Sequence, residues 1–216
     1  KTFKTKPRCI DLAFANRYSI SLIDSNRLAQ LNSKDLAILA KKFYNDTYTM
    51  DQFGCSSPNS VFWLGKNNIA KKKFWFVLSK IVNKEYDLDL SGANKKISNL
   101  MNYTLGKNKK IKANMQNFNL ITLKSKELNF DNFENVNFGT FLEFNLKDIN
   151  HLKKYTSEKL QTITYYGTDF KSIKNFIIKN RIKGIDRIVP IGRAFDLTPE
   201  WDGIDIISTL SRTIGN

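Results

Sequence analysis

Residues 51–63 read D-Q-F-G-C-S-S-P-N-S-V-F-W. Gly54 and the Ser56, Ser57, Pro58 triplet flank Cys55 with turn formers, and an apolar, β-branched and aromatic run begins just beyond. This spacing places Cys55 at a sharp junction where a loop feeds a strand. Upstream, Ser33 is suited to cap a helix starting at Lys34. Leu36, Leu39, Ala40 and Phe43 recur at i, i+3, i+4 and i+7, which is one helical face. Downstream, residues 60–64 read as a short buried strand. A helix over 70–82 follows, with Phe74, Val77, Leu78 and Ile81 on a shared face. Ahead of all these, residues 9–23 have an apolar start and then alternating Ile20 and Leu22, which predicts a strand pair or a bent strand. Strand, helix, cysteine loop, strand and helix in succession predict an α/β fold with a largely parallel sheet flanked by helices.

The rest of the chain continues the alternation. Residues 94–103 read as a helix, 106–114 as a basic loop or hairpin tip, and 121–123 and 139–144 as strands. Residues 129–137 are polar and aromatic by turns, as in a loop with anchors. Residues 160–165, L-Q-T-I-T-Y, alternate and are β-branched, and Gly167 ends that strand. A helix over 172–179 turns Ile173, Phe176 and Ile177 inward, and a last buried strand over 187–191 closes at Gly192. No internal repeat or low-complexity linker divides the 216 residues, so residues 1–216 are expected to form one domain.

Composition sets the outer limits. With 41% hydrophobic residues and 16 Phe, the chain has the material for a sizeable core. No apolar run approaches the ~18 residues of a membrane span, and no secretory signal pattern follows the first residues. Lys1 stands where an initiating Met is usual, so a processed or truncated piece is expected. Two cysteines make no disulfide framework, and no Cys/His cluster has zinc spacing, so no metal site is expected. Free thiols fit a reducing, cytoplasmic compartment. Cys9 is expected in the core. His151, the single histidine, is expected at the surface beside Lys153 and Lys154. The net charge of +15 raises the question of nucleic acid. The lysines are spread, with local concentrations at 1–8, 71–73 and 107–112, and no nucleic-acid motif accompanies them. A solvated basic surface that attracts anionic ligands is the favoured reading.

A cysteine at such a junction can act as a nucleophile and carry an acyl group as a thioester, dividing one hard reduction into two easier steps. The G-C-S-S-P stretch, preceded by Asp51 and Gln52, resembles the nucleophile segment of bacterial long-chain fatty acyl-CoA reductases of the LuxC type, within the aldehyde dehydrogenase superfamily. A second segment, residues 184–212, contains R-I-V-P-I-G-R-A-F-D with W-D-G downstream and is similar to that family's C-terminal signature. The resemblance implies the fold of an aldehyde dehydrogenase catalytic domain: three layers, with an open and largely parallel sheet between helices.

It also implies a chemistry. A fatty acyl group passes to Cys55 from acyl-CoA or from an acylated partner protein, NADPH supplies hydride, and aldehyde leaves. The backbone N–H of Cys55 is carried over as one oxyanion donor. Gln161 stands where the superfamily has a glutamate that touches the nicotinamide ribose, and is carried over as a cofactor contact. A polar residue on a half-buried strand is an equally good reading. The superfamily's general-base motif has no carboxylate at its place near residues 14–19, F-A-N-R-Y-S, which fits a reductase that must not hydrolyse its thioester. No glycine-rich dinucleotide turn follows a strand. The nucleotide-binding domain is therefore expected to be absent from this chain. In the second signature, Arg187 and Arg193 are a candidate pair for phosphate or carboxylate. A structural turn at 201–203, with Trp201 in the core and Asp202 as a cap, is favoured over a binding role. Superfamily members usually associate, which leaves a homo-oligomer open. Two other readings stay open: a basic polyanion-binding module, and an inactive remnant with an unreactive Cys55.

Overall fold

Strand β1 (Tyr18–Asp24) is buried along nearly its whole length. An alternating strand wets one face, so burial of both faces places β1 inside a sheet covered on both sides. The computed structural model, which describes residues 9–105, 111–124, 136–212 and 214, bears this out. Helices α1 (Ser25–Leu28) and α2 (Ser33–Tyr48) precede β2 (Pro58–Leu64). Helices α3 (Asn68–Glu85) and α4 (Leu90–Leu105) lead to a hairpin, β3 (Lys112–Asn117) and β4 (Leu120–Lys124). Then come β5 (Thr140–Asn145), a 3-10 segment (Ile149–Tyr155), β6 (Leu160–Tyr166), α5 (Phe170–Asn180) and β7 (Arg187–Pro190). A two-stranded turn, β8 (Glu200–Trp201) with β9 (Ile204–Asp205), and α6 (Ile206–Leu210) complete the described chain.

The seven strands run in the order β3-β4-β5-β2-β1-β6-β7. Every neighbouring pair is parallel except the β3–β4 edge hairpin. One core lies between the sheet and α2 and α3, around Phe43, Trp63, Phe74, Trp75 and Phe141. Their rings meet mostly edge to face, with centroids 5.3–6.0 Å apart, the arrangement that aligns ring edges with π faces. The second core, around Phe62, Phe144, Leu152, Ile163 and Phe176, lies under the 3-10 segment and α5. The expected three-layer α/β arrangement is therefore present. Glu143 is buried among the tryptophans and accepts the indole N–H groups of Trp63 (2.7 Å) and Trp75 (3.3 Å). Lys124 stands 3.4 Å from its other oxygen. A carboxylate taken from water needs such partners.

Several local expectations change. Asn32, not Ser33, caps α2, its side chain accepting from Asp35 N. Cys9 is exposed. Residues 9–17 form no strand, so β1 starts only at Tyr18. Ile10 and Phe14 stand exposed there, so the segment's apolar residues join neither core. Part of the basic segment 106–114 is strand β3, an exposed edge where lysine and asparagine are tolerated. Residues 1–8, 106–110 and 125–135 lie outside the described residues, and with them the first basic cluster, most of the cluster at 107–112 and most of the loop expected at 129–137.

Candidate active site

The cysteine loop leaves α2 through two non-glycine residues with left-handed backbones, Asp51 (φ 51°) and Gln52 (φ 63°). Each such residue costs of order 1–3 kcal/mol unless its surroundings over-determine it, and here they do. The Tyr86 hydroxyl donates to Asp51 Oδ1 at 2.5 Å. Burial and this bond push the Tyr86 phenol pKa well up. The buried Gln52 side chain sits between β2 and β5. Its Oε1 accepts from Gly139 N (2.8 Å) and Thr140 N (3.2 Å), and its Nε2 donates to Pro58 O and Thr140 O (both 3.3 Å). Gln52→Ala removes all four of these bonds, and while Thr140 N keeps Asn137 O (3.1 Å) as an acceptor, Gly139 N and the Pro58 and Thr140 carbonyls lose the Gln52 amide. We expect a loss of about 2–4 kcal/mol of stability on chemical denaturation.

Cys55 follows, half-buried. Its carbonyl accepts from Ser19 Oγ at 2.6 Å. The same hydroxyl accepts from Thr162 N at 3.2 Å. Ser19 lies where β1 slips register against β2 and next to its slip against β6, so its side chain fills a gap in both ladders and ties the loop to the sheet. Ser57 N donates to Gly54 O (2.8 Å), and Ser57 Oγ donates to Asp46 O (2.8 Å). The loop is thus fixed at the N-terminal edge of the parallel strands. The Cys55 amide is engaged by no acceptor among the described residues. A fixed N–H beside a thiol is the geometry an oxyanion needs.

The second segment lies against the first. The Arg187 guanidinium donates to the carbonyls of Ala194 (2.8 Å), Arg193 (3.4 Å) and Asp196 (2.8 Å) and lies over the Trp201 ring at 5.0 Å. The Asp46 carboxylate, on the inner face of α2, accepts from Gly192 N (2.6 Å) and Ala194 N (3.0 Å). Burial pushes its pKa up to about 6, against the lowering effect of those two donors. Phe195 is so close to Gly54 that a Cβ there would stand 2.8 Å from its ring. Arg193 pairs instead with Asp196 at 2.5 Å. The candidate anion pair is therefore divided: Arg187 is committed to backbone carbonyls, and Arg193 to a carboxylate.

Gln161 is the second residue of β6 and is buried. Its amide nitrogen donates to Asp202, while its Oε1 has no partner among the described residues. Asp202 also pairs with Arg17 at 3.2 Å, and Arg17 pairs with Asp186 and donates to Leu160 O and Gly184 O. Asp202 (φ 51°) and Gly203 (φ 72°) form the tight turn between β8 and β9. The expected turn at 201–203 is thus present. Asp202 serves as an ion-pair partner and not as a cap, however, and Trp201 is half-buried under Arg187, outside the core. Gln161 precedes Thr162, whose amide reaches Ser19 and through it Cys55, so the structure brings both sequence-predicted residues to one edge of the sheet. His151 does not join them. It pairs with Asp148 at 3.1 Å on the segment after the opposite end of β5. Among the described residues no cluster of His, Cys, Asp or Glu is suited to a metal ion, and no helix is long and apolar enough to cross a membrane.

The family model described as acyl-CoA reductase (LuxC) matches residues 2–213. The chain belongs to this LuxC acyl-CoA reductase family. Among solved structures, this LuxC-family chain is similar to an NAD-dependent aldehyde dehydrogenase from Sinorhizobium meliloti, with a TM-score of 0.55 and 11% identity over 86% of this chain and 39% of that one. It is also similar to succinic semialdehyde dehydrogenase from Streptococcus pyogenes, in complex with NADP+, with a TM-score of 0.53 and 14% identity over 86% and 42%. A third is methylmalonate-semialdehyde dehydrogenase from Oceanimonas doudoroffii, with a TM-score of 0.51 and 9% identity over 82% and 39%. These likenesses establish an aldehyde dehydrogenase-like fold. The LuxC-family chain spans about two-fifths of the length of these enzymes. A search of curated proteins finds no match.

Ser19 and Asp46 went unnoticed in the sequence. Ser19 looks like an ordinary strand residue, and only the register slip gives it a role. Asp46 carried a legible signal: it falls three residues after Phe43 and seven after Leu39, on the apolar face of α2, where an isolated carboxylate calls for partners.

Proposed function

We propose that this chain carries the thiol half of an NADPH-dependent reductase that converts fatty acyl thioesters to aldehydes through an acyl group on Cys55. The observation that carries this reading is the LuxC-family match over residues 2–213, together with a half-buried cysteine whose loop is tied to the sheet through Ser19 and Gln52 and to α2 through Ser57. The Cys55 thiolate attacks the acyl carbonyl, the thiolate of the donor leaves, and a new thioester forms. The fixed Cys55 N–H meets the oxygen that becomes negative in each tetrahedral species. When bound, NADPH supplies the hydride that reduces the thioester carbonyl. Collapse then releases the aldehyde and returns the thiolate. The donor is acyl-CoA or an acylated partner protein.

Residues 1–216 are read as the cysteine-bearing domain, with the nucleotide held mainly by a separate domain. Among the described residues no glycine-rich turn leads from a strand into a helix to cradle phosphates. One acceptor does fit a ribose hydroxyl: the buried, unpartnered Gln161 Oε1, whose amide is already oriented by Asp202. Gln161 would hold that end of the cofactor.

The test is intact-protein mass after incubation with tetradecanoyl-CoA. A single hydroxylamine-labile acyl adduct is expected on the parent chain and on Cys9→Ala, and none on Cys55→Ala. An adduct that survives in Cys55→Ala, or a folded parent chain that takes none, removes the acyl-enzyme reading.

A further inference from the structure

The two signature segments are far apart in sequence, and one side chain joins them. Asp46 is 2% exposed. Its carboxylate accepts both Gly192 N and Ala194 N, and its own carbonyl accepts Ser57 Oγ from the cysteine loop. Among the described residues, Asp46 takes every hydrogen bond that passes between residues 191–196 and helix α2. Arg187 grips the other side of that segment, but from β7, so it fixes the segment's shape and not its seat on the cysteine loop. Phe195 follows Ala194 directly, and its ring reaches Gly54, the neighbour of Cys55.

We propose that Asp46 is a positioning residue that holds Phe195 against Gly54 and thereby sets access to the Cys55 thiol. The chemistry calls for a carboxylate. Two convergent N–H donors need two acceptor oxygens, and an amide would turn one N–H toward another. Glutamate would carry the same group one methylene too far. Phe195 is half-buried, so the wall it makes depends on how the segment is seated and not on deep packing of its own.

The test uses iodoacetamide on the full chain at pH 8, with modification of Cys55 followed by peptide mass. Cys9, which is exposed, is the reference in the same molecule. Asp46→Asn and Phe195→Ala should each raise the Cys55-to-Cys9 rate ratio by about fivefold to tenfold, the factor that corresponds to loss of a modest interaction. The double variant should be no faster than the faster single one, because both changes open the same wall. Asp46→Glu should fall on the side of Asp46→Asn. An unchanged ratio in Phe195→Ala, or in Asp46→Asn melting near the parent temperature, overturns the proposal. So do effects that multiply in the double variant. Phe195→Ala disturbs no buried polar pair, so it decides the matter even where Asp46→Asn fails to fold. Alkylation needs no acyl donor, so this result stands apart from the fate of the reductase reading.

Discussion

Replacing Gly139 with alanine should cost more than about 4 kcal/mol and leave little folded protein at ambient temperature. Two independent penalties combine there. Gly139 has φ 73°, a backbone that residues bearing a Cβ enter only at a cost of about 1–2 kcal/mol. An added Cβ would also overlap the carbonyl oxygen of Asn119 and stand 2.7 Å from the Tyr48 hydroxyl. That carbonyl belongs to the β3–β4 turn, which Tyr48 holds at 3.0 Å. Gly139 O meanwhile accepts from Ile121 N at 3.0 Å. Backbone is pinned on both sides, so the clash cannot be relieved by a rotamer change. Gly203→Ala separates the two penalties. Its φ is 72°, yet the nearest atom to a new Cβ is a movable Asp186 oxygen at 3.0 Å. Urea denaturation should rank Gly139→Ala far below Gly203→Ala, with the latter within about 2 kcal/mol of the parent. Equal losses at the two sites would show that the collision is absorbed.

Lys96→Met should act in the opposite direction, raising stability at pH 7 by about 1–3 kcal/mol. Lys96 is fully buried on α4. Its ammonium donates to Phe138 O at 2.6 Å and lies 5.3 Å from the Phe118 ring centroid. Burial lowers its pKa from 10.5 to about 7. The folded state therefore binds fewer protons than the unfolded state between pH 7 and 10.5, so this group makes stability rise with pH across that window. Below pH 7 the charged form is buried at full cost; from pH 7 to 9 the gain is about 2 kcal/mol. Methionine matches the stem and removes the charge, leaving only the Phe138 carbonyl to find another donor. Denaturation of both proteins at pH 7 and pH 9 should show the parent gaining on the variant. A constant difference between them would mean that Lys96 stays ionised throughout.

Much of the fold was legible because buried strands and amphipathic helices advertise themselves. Leu36, Leu39, Ala40 and Phe43 line the inner face of α2 as their spacing requires, and the run after Pro58 is a strand buried almost to its end. What periodicity does not encode is who meets whom. The loop cysteine was visible as chemistry, but its tether to Ser19 depends on a register slip that no local pattern marks. Arg187 and Arg193 looked like an anion pair because charge is legible and its partners are not. In three dimensions one is spent on carbonyls and the other on Asp196. Cys9 misled for the same reason: apolar neighbours suggest a core, and only the absence of a pairing strand leaves it exposed.

The central position of β1 also shapes how the chain is made. Its partner on one side, β2, follows closely, but its partner on the other side is β6, with Tyr18 opposite Leu160 and Ile23 opposite Tyr166. At ribosomal speeds of about 5–20 residues per second, β1 waits roughly seven to thirty seconds for β6 to be synthesised. During that time an apolar strand has one open ladder. Its neighbour in the sheet at that stage, β2, is aromatic-rich. A nascent chain in this state is a natural client for holding chaperones, and slower translation between β2 and β6 would lengthen its exposure to aggregation.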